Sequence, residues 1–223
     1  METKRGKLIV IEGLNGSGKT SIFRLAKGQY ADRDDIIWSR EPGGVPIAED
    51  IRGLLLNAYH RELEPQTELF LFYASRAQHV SQKVLPALLL GKNVVLDRAD
   101  PSTFSFQIEA GGLGDYFNAA LECSACAWHT SAETIFGGKL FDAVIYLDVP
   151  VSVGLQRIKL IREDGTLDRI ERKDIEYRER VRKGYLKQAE RSFFGPWYVI
   201  DATKPIELVT AEVMGILKRV IGS

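Results

Sequence analysis

The chain has 223 residues, of which 45% are hydrophobic, 27% charged and 9% aromatic, a composition typical of a globular protein rather than a disordered or fibrous one. Lysine plus arginine and aspartate plus glutamate both number 30, so the formal net charge of zero disfavours a nucleic-acid binder that depends on a basic surface. No apolar run approaches the ~20 residues of a membrane span, and the two cysteines form no disulfide framework. We therefore expect a soluble cytoplasmic protein that consists of one domain, residues 1–223.

Short apolar runs alternate along the chain with segments of helical period. Strands are predicted at 7–12, 35–39, 93–97, 143–149 and 197–200. Helices are predicted at 19–30, 47–57, 66–90, 115–128, 151–162, 175–190 and 205–221. Because strands that are apolar throughout suit a parallel sheet covered on both faces, we predict a three-layer α/β fold. Ligands of such folds bind at the carboxyl ends of the strands.

The most informative motif is the segment at 13–20, which we call the phosphate loop. It matches G-x-x-x-x-G-K-[ST] and lies between a predicted strand and a predicted helix. Glycines let successive backbone N–H groups turn around a phosphate, and the following helix N-terminus adds its dipole. Lys19 is expected to reach the β- and γ-phosphates, and the Thr20 hydroxyl to coordinate Mg²⁺. The predicted phosphate-binding residues are Gly13, Leu14, Asn15, Gly16, Ser17, Gly18, Lys19 and Thr20.

Three further strings suggest a kinase rather than a GTPase, whose guanine-reading Asn-Lys-x-Asp tetrapeptide the sequence lacks. The string Arg-Glu-Pro-Gly-Gly at 40–44 can present charge into a cleft. Asp97 can hold Mg²⁺ through water at a strand end, and Arg98 can bind phosphate oxygens. Phe72 and Arg76 share a helix face, where a ring could stack on a base and a guanidinium could bond a base carbonyl. Taken alone, each string also has a purely structural interpretation. The first fits a plain surface turn, the second an ion pair at a strand end, and the third a buried ring beside a surface arginine.

Together these strings resemble the bacterial form of the thymidylate kinase family, P-loop enzymes that phosphorylate dTMP with ATP. The resemblance extends from about residue 7 to the final helix and includes strings at 12–14, 71–76, 97–103, 146–149 and 167–171. It implies a P-loop NTPase fold with a five-stranded parallel sheet, helices on both faces and a small lid at about 156–170. It also implies Mg²⁺, ATP as co-substrate, dTMP as acceptor, a role in dTTP synthesis and a homodimer, without nucleic acid or membrane.

The resemblance assigns roles to single residues. The family's stacking aromatic falls on Phe72, its thymine-O4 contact on Arg76 and its acceptor-phosphate arginine on Arg98. Its Mg-associated aspartate, which binds the ion through water, falls on Asp97. The other positions that match its dTMP site are Asn15, Glu41, Pro42, Ser102, Thr103, Phe106 and Gln107.

The lid is the other source of catalytic charge that the resemblance implies. Family members without a basic residue inside the phosphate loop carry catalytic arginines in the lid, and the interior of this loop is uncharged. The lid candidates are Arg157, Lys159, Arg162 and Arg169. Asp164 stands where bacterial members often have a second arginine, so Arg162 is the predicted catalytic residue beside Lys19, Asp97 and Arg98.

Three departures from the family pattern lie around the acceptor. Asn15 replaces the usual acidic residue near the sugar, Ala99 replaces a tyrosine or histidine, and Phe106 replaces a common tyrosine near the 2′ position. These changes leave open a kinase for another acceptor, such as dUMP or a 5-substituted dUMP. From a different class, a binding module that uses the nucleotide only as a switch also stays open.

Two cysteines and two histidines receive no functional role at this level. Cys123 and Cys126 lie in a predicted helix without a second ligand pair for zinc, so we expect small buried thiols. His60 and His79 lie in polar surroundings.

Overall fold

The computed structural model describes residues 5–60, 62–161 and 167–222. Its strands form one parallel sheet in the order β2-β3-β1-β4-β5. They are β1 (Leu8–Gly13), β2 (Ile36–Arg40), β3 (Asn93–Asp97), β4 (Ala143–Asp148) and β5 (Trp197–Asp201). The predicted five-stranded parallel sheet is confirmed, and every predicted strand agrees with the observed one to within a residue at each end.

Helices cover both faces of this sheet. The longer ones are α1 (Lys19–Gln29), α2 (Pro46–Leu56), α3 (Pro65–His79), α6 (Phe117–Ala127), α8 (Val151–Ile161), α9 (Ile175–Glu190) and α10 (Ile206–Ile221). The short ones are α4 (Leu85–Leu89), α5 (Asp100–Thr103) and α7 (Ala132–Phe136). Two segments, Val80–Val84 and Phe104–Ala110, are π-helical, and Gly114–Tyr116 forms a 3₁₀ turn before α6.

Two regions differ from the sequence-based prediction. The helix predicted at 66–90 is divided into α3, a π-helical segment and α4, because Pro86 has no backbone N–H to continue the regular ladder. The pattern does not predict the helical segment at 100–110, where Phe104, Phe106 and Ile108 alternate at the spacing of a strand. Tertiary packing overrides that spacing, since all three side chains are buried.

The buried strands divide the core into two apolar layers. Leu8 and Val10 of β1 face one layer, which contains side chains from α3, α6 and the segment after α9. Ile9 and Ile11 face the other layer, which is formed mainly with α1 and α10. All six residues of β1 are buried, as a central strand covered on both faces requires.

Three of the predicted functional strings follow the carboxyl ends of neighbouring strands, whereas the string with Phe72 and Arg76 lies within α3. The phosphate loop follows β1, Asp97 and Arg98 end β3, and Glu41 follows β2. Because these three strands are adjacent in the sheet, their loops meet at one edge. Within the described residues, none of the helices has both the length and the apolar character needed to cross a bilayer.

Candidate active site

At several positions, the backbone of the phosphate loop has a conformation that favours glycine. Gly16 and Gly18 have φ angles of 84° and 90°, in the left-handed region. A Cβ atom on Gly16 would lie 2.2 Å from the carbonyl oxygen of Gly154 in α8, so the loop and this helix are in direct backbone contact. Helix α1 begins at Lys19, directly after Gly18. The loop therefore ends on a helix N-terminus, the arrangement that binds phosphate.

The side chain of Lys19 points into the phosphate loop. Its side chain is buried, and Nζ donates a hydrogen bond to the carbonyl oxygen of Leu14 at 3.3 Å. Burial and the nearby Arg98 lower the pKa of Lys19 to about 7, although Asp97 and Glu12 oppose this shift. An anion in the loop would favour the charged ammonium. The geometry is therefore suited to a phosphate group.

A cavity of about 890 Å³ extends from the phosphate loop across the strand ends to α2 and α3. The basic side chains that line it are Lys19, Arg24, Arg40, Arg52, Arg76, Arg98, Arg157 and Lys204, and the acidic ones are Glu41, Asp97, Asp168 and Glu171. This excess of positive charge, in a protein with no net charge, suits ligands that carry several phosphates.

Most of the predicted site residues meet in this cavity. Its lining includes Asn15, Gly16, Ser17, Gly18, Lys19, Thr20, Glu41, Pro42, Phe72, Arg76, Asp97, Arg98, Ser102, Thr103, Phe106, Gln107 and Arg157. Gly13 and Leu14 are buried behind it. Arg162 lies outside the described residues.

Arg98 is held in a fixed position on the wall of the cavity. Its Nη2 donates to Oδ1 of Asn15 at 2.6 Å, and its Nη1 donates to the hydroxyl oxygens of Ser102 at 3.0 Å and Tyr185 at 3.2 Å. The guanidinium lies over the Phe106 ring, 5.2 Å from its centroid. The site therefore presents a preorganised cation to the cavity.

A fully buried carboxylate, that of Glu12, holds the partners of Arg98 in turn. Its oxygens accept hydrogen bonds from the Ser102 hydroxyl at 2.7 Å, the Tyr185 hydroxyl at 2.9 Å and the backbone N–H of Ala99 at 2.9 Å. Burial raises the pKa of Glu12, against the opposing charge of Arg98. Sequence reasoning missed Tyr185, because it lies 173 residues from Glu12 and no local pattern connects them.

Arg76 is buried between two carboxylates. Its Nε donates to Glu41 at 2.7 Å, its Nη1 to Asp100 at 3.2 Å and its Nη2 to the Thr103 hydroxyl at 3.0 Å. Burial would lower the pKa of Arg76, but the charges of Asp100 and Glu41 outweigh it and raise the pKa. The guanidinium still lines the cavity, with its plane fixed by these three partners.

His79 belongs to the same network, although the sequence assigned it no role. It is fully buried, with Nδ1 3.1 Å from Oε1 of Glu41 and Nε2 2.8 Å from the Ser39 hydroxyl. The available signal was its position three residues after Arg76, on the same face of α3.

Two lid candidates lie in different surroundings. Arg157 lines the cavity from α8. Arg169 is outside the cavity lining among the described residues, because its guanidinium pairs with Glu68 of α3 and donates to the carbonyl oxygen of Leu55 at 3.0 Å. Arg169 therefore ties the segment before α9 to α2 and α3.

Several other residues line the cavity although no motif in the sequence predicts them. Arg52 lines the cavity from α2 and donates to the carbonyl oxygen of Pro42 at 2.9 Å. Arg24 of α1, Lys204 in the loop after β5 and Ile206 of α10 also line the cavity.

The two thiols lie on α6, away from the cavity. Cys123 is half-buried and Cys126 is exposed, so the expectation that both are buried is wrong. The reason is helical geometry, since Cys126 lies on the outer face of α6 while Ser124 and Ala125 point inward. Across the described parts of the chain, no group of three or more His, Cys, Asp or Glu side chains could hold a metal ion.

Comparison with known proteins places this chain in a family. The family model described as Thymidylate kinase matches residues 11–213. The chain is 39% identical over 209 residues to a thymidylate kinase of Chlamydia abortus, with 92% of each chain covered. It is 35% identical over 208 residues to one of Geobacillus sp., with 93% of each covered.

A solved structure supports the same fold. The crystal structure of thymidylate kinase from Ehrlichia chaffeensis superposes with a TM-score of 0.72 at 24% identity, covering 96% of this chain and 99% of that one. At this identity the superposition establishes a P-loop NTPase fold, and the sequence matches establish the family. The chain therefore belongs to the thymidylate kinase family and is a nucleoside monophosphate kinase.

Proposed function

We propose that the protein transfers the γ-phosphoryl group of ATP to dTMP, giving ADP and dTDP in the cytoplasmic synthesis of dTTP. The observation that carries this proposal is one continuous cavity that joins the phosphate loop to Arg98 and to a pocket bearing Phe72 and Arg76. Its two ends suit a donor and an acceptor bound together. Transfer within such a ternary complex needs no covalent enzyme intermediate.

The phosphoryl group would be transferred by positioning and charge. The loop N–H groups and Lys19 would hold the donor phosphates, and Arg98 would orient the acceptor phosphate. The lid, at about 156–170 within a single kinase domain, would close over the site and exclude water, because open access would lead to ATP hydrolysis. Arg162 is our candidate for the lid arginine that neutralises charge in the transition state, and Arg157 already lines the cavity.

Magnesium fits the donor end of the cavity. The Thr20 hydroxyl and the Asp97 carboxylate both line it, and oxygen donors of this kind suit Mg²⁺. Thr20 would bind the ion directly and Asp97 through water. Bound together with ATP, Mg²⁺ would neutralise charge on the β- and γ-phosphate oxygens.

The acceptor pocket would recognise the base and sugar of dTMP. The ring of Phe72 is available for stacking, and Arg76 can donate to O4 of thymine. Phe106 would lie near the sugar, with Asn15 near the 3′-hydroxyl. Glu41, Pro42, Ser102, Thr103 and Gln107, which line the same cavity, would complete this pocket.

A homodimer would cover an apolar surface on α2 and α3, which pack against each other. Ile47 and Leu54 lie two turns apart on α2 and are 54% and 50% exposed, and Phe70 of α3 is 49% exposed. Sedimentation velocity tests this proposal: the wild type should sediment as a dimer, and Phe70→Glu should shift it towards the monomer.

An ADP-coupled assay tests the proposed reaction, with dTMP, dUMP, dCMP, dGMP and UMP as acceptors. We expect ADP formation that depends on the acceptor and has its largest kcat/KM with dTMP. Preference for dUMP would indicate a different deoxynucleotide kinase. ADP formation that is independent of any acceptor would indicate a nucleotide switch.

A further inference from the structure

The amide of Gln107 is fixed by a buried glutamate on a neighbouring helix. Gln107 lies in the π-helical segment Phe104–Ala110 and lines the cavity, and its Nε2 donates to Oε1 of Glu68 at 2.7 Å. Glu68 belongs to α3 and is 7% exposed. Its other oxygen, Oε2, pairs with the guanidinium of Arg169. One oxygen of this carboxylate therefore accepts a hydrogen bond from Gln107, and the other is in an ion pair with Arg169.

This contact determines which end of the amide remains for a ligand. A carboxylate only accepts hydrogen bonds, so Gln107 must turn its NH₂ group towards Glu68. Its carbonyl oxygen Oε1 accepts no hydrogen bond from the described part of the chain. The cavity wall therefore offers an acceptor at Gln107 and donors at Arg76.

We propose that Glu68 is a positioning residue that fixes the polarity of the Gln107 amide and so selects thymine and uracil against cytosine. This inference rests on the proposed dTMP kinase function and deepens it. Thymine presents an N3–H donor, which matches the Gln107 carbonyl, and an O4 acceptor, which matches Arg76. Cytosine presents an acceptor at N3 and an amino donor at position 4, so both contacts would be mismatched.

A Glu68→Gln variant should invert this polarity. The glutamine that replaces Glu68 has only one oxygen. That oxygen must face Arg169, because a guanidinium group has only hydrogen-bond donors. The NH₂ group of the new amide then faces Gln107, which must turn its own oxygen towards it and its NH₂ group towards the base. The substitution keeps nearly the same volume, so packing is little disturbed.

The measurement is kcat/KM for dTMP, dUMP and dCMP with ATP held saturating. Since mismatched buried hydrogen bonds are costly, we expect the dTMP to dCMP ratio to fall roughly tenfold or more in Glu68→Gln. The dTMP to dUMP ratio should stay unchanged, because both bases carry the same N3–H and O4 groups. A merely structural role for Glu68 would lower all three values together and leave both ratios intact, and that result would overturn the inference.

Two further variants complete the test. Glu64→Gln makes the same change one turn earlier, at an exposed position, and should leave the dTMP to dCMP ratio unchanged. The double variant Glu68→Gln with Gln107→Glu restores an acceptor-only group beside the base and should recover the ratio. Failure of this rescue, in a protein with wild-type Tm, would contradict the proposed polarity.

The outcomes separate this inference from the proposed function. A wild-type protein that forms no ADP with dTMP would overturn both. An active wild type whose dTMP to dCMP ratio is unaffected by Glu68→Gln overturns the role of Glu68 alone. If Glu68→Gln does not fold, Gln107→Leu removes the same acceptor, and an unchanged ratio in that variant overturns the inference.

Discussion

The two ends of the cavity are built in different ways. At the phosphate end, one contiguous segment supplies the predicted phosphate-binding groups, namely its backbone N–H groups and Lys19. At the acceptor end, Arg98 and Arg76 are fixed by side chains that come from distant parts of the chain, such as Tyr185 on α9 and Glu41 after β2. A substitution at the phosphate end should therefore lower only the rate of the reaction. A substitution at the acceptor end should lower both the rate and the free energy of unfolding.

The difference follows from the groups each end must hold. A phosphate carries its own charge, and backbone N–H groups with a helix dipole suffice to bind it. A base is neutral and must be read by aligned donors and acceptors, which need rigid support to discriminate. A buried guanidinium such as that of Arg76 requires carboxylate partners, and Glu41 and Asp100 provide them.

The largest effect should come from Lys19→Met at the phosphate end. We expect kcat to fall by orders of magnitude, about a hundredfold at least, because the variant loses charge on the transferring group. The fold should survive, as judged by circular dichroism and Tm. Lys27→Met, an exposed position later on α1, is the matched control and should keep wild-type kinetics. Substantial activity in folded Lys19→Met would remove the lysine from the mechanism.

A second test concerns the lid. Arg162→Ala should lower kcat by about a hundredfold while KM for either substrate changes little, since an interaction made in the transition state appears in kcat. Steady-state kinetics with each substrate varied in turn measures both. If only KM rises, Arg162 binds the ground state, and Arg157 becomes the catalytic candidate from the lid.

Arg76→Ala tests the acceptor end and should affect both stability and selectivity. Removing the guanidinium leaves Glu41 and Asp100 buried without their partner, which costs about 3–5 kcal/mol in the free energy of unfolding. The preference for dTMP over dCMP should fall roughly tenfold. Phe72→Ala, which removes a half-buried ring, should instead weaken all pyrimidine acceptors alike.

Urea denaturation and kcat/KM ratios separate the two effects of Arg76→Ala. A variant of wild-type stability would show that the carboxylates find other partners. An unchanged dTMP to dCMP ratio would remove Arg76 from base recognition.

The smallest effect should be the uptake of part of a proton by Lys19 when ATP binds. With its pKa lowered to about 7, Lys19 is mostly neutral at pH 8 before ATP binds, and the bound anion raises its pKa again. ATP binding at pH 8 should therefore take up a fraction of a proton. Calorimetry in two buffers of different ionisation enthalpy measures it, with Lys19→Met as the control. Identical apparent enthalpies in both buffers would argue against a depressed pKa.

The sequence predicts features that are local in the chain. Apolar runs locate the strands because each central strand must be buried on both faces. The phosphate loop is readable because its glycines and lysine are contiguous. Phe72 and Arg76 are placed together because both lie on one turn of a helix.

The remaining features depend on tertiary packing. The Tyr185 hydroxyl reaches Glu12 only because α9 packs against the helical segment after β3. No periodicity in the sequence predicts that contact. His79 becomes a buried partner of Glu41 only when β2 and α3 pack together. The helical turns after β3 contradict their strand-like spacing for the same reason.

The contact between Gly16 and Gly154 has a mechanical consequence. No side chain acts as a spacer there, since a Cβ on Gly154 would lie 3.0 Å from the carbonyl oxygen of Asn15. Helix α8 continues from this contact to Ile161, and seven residues at a rise of 1.5 Å make an arm of roughly 10 Å. A tilt of about 10° at the contact would move the far end by about 2 Å, as elementary geometry of such an arm requires. A small change in the backbone of the phosphate loop at Gly16 would therefore be amplified along α8 towards Ile161.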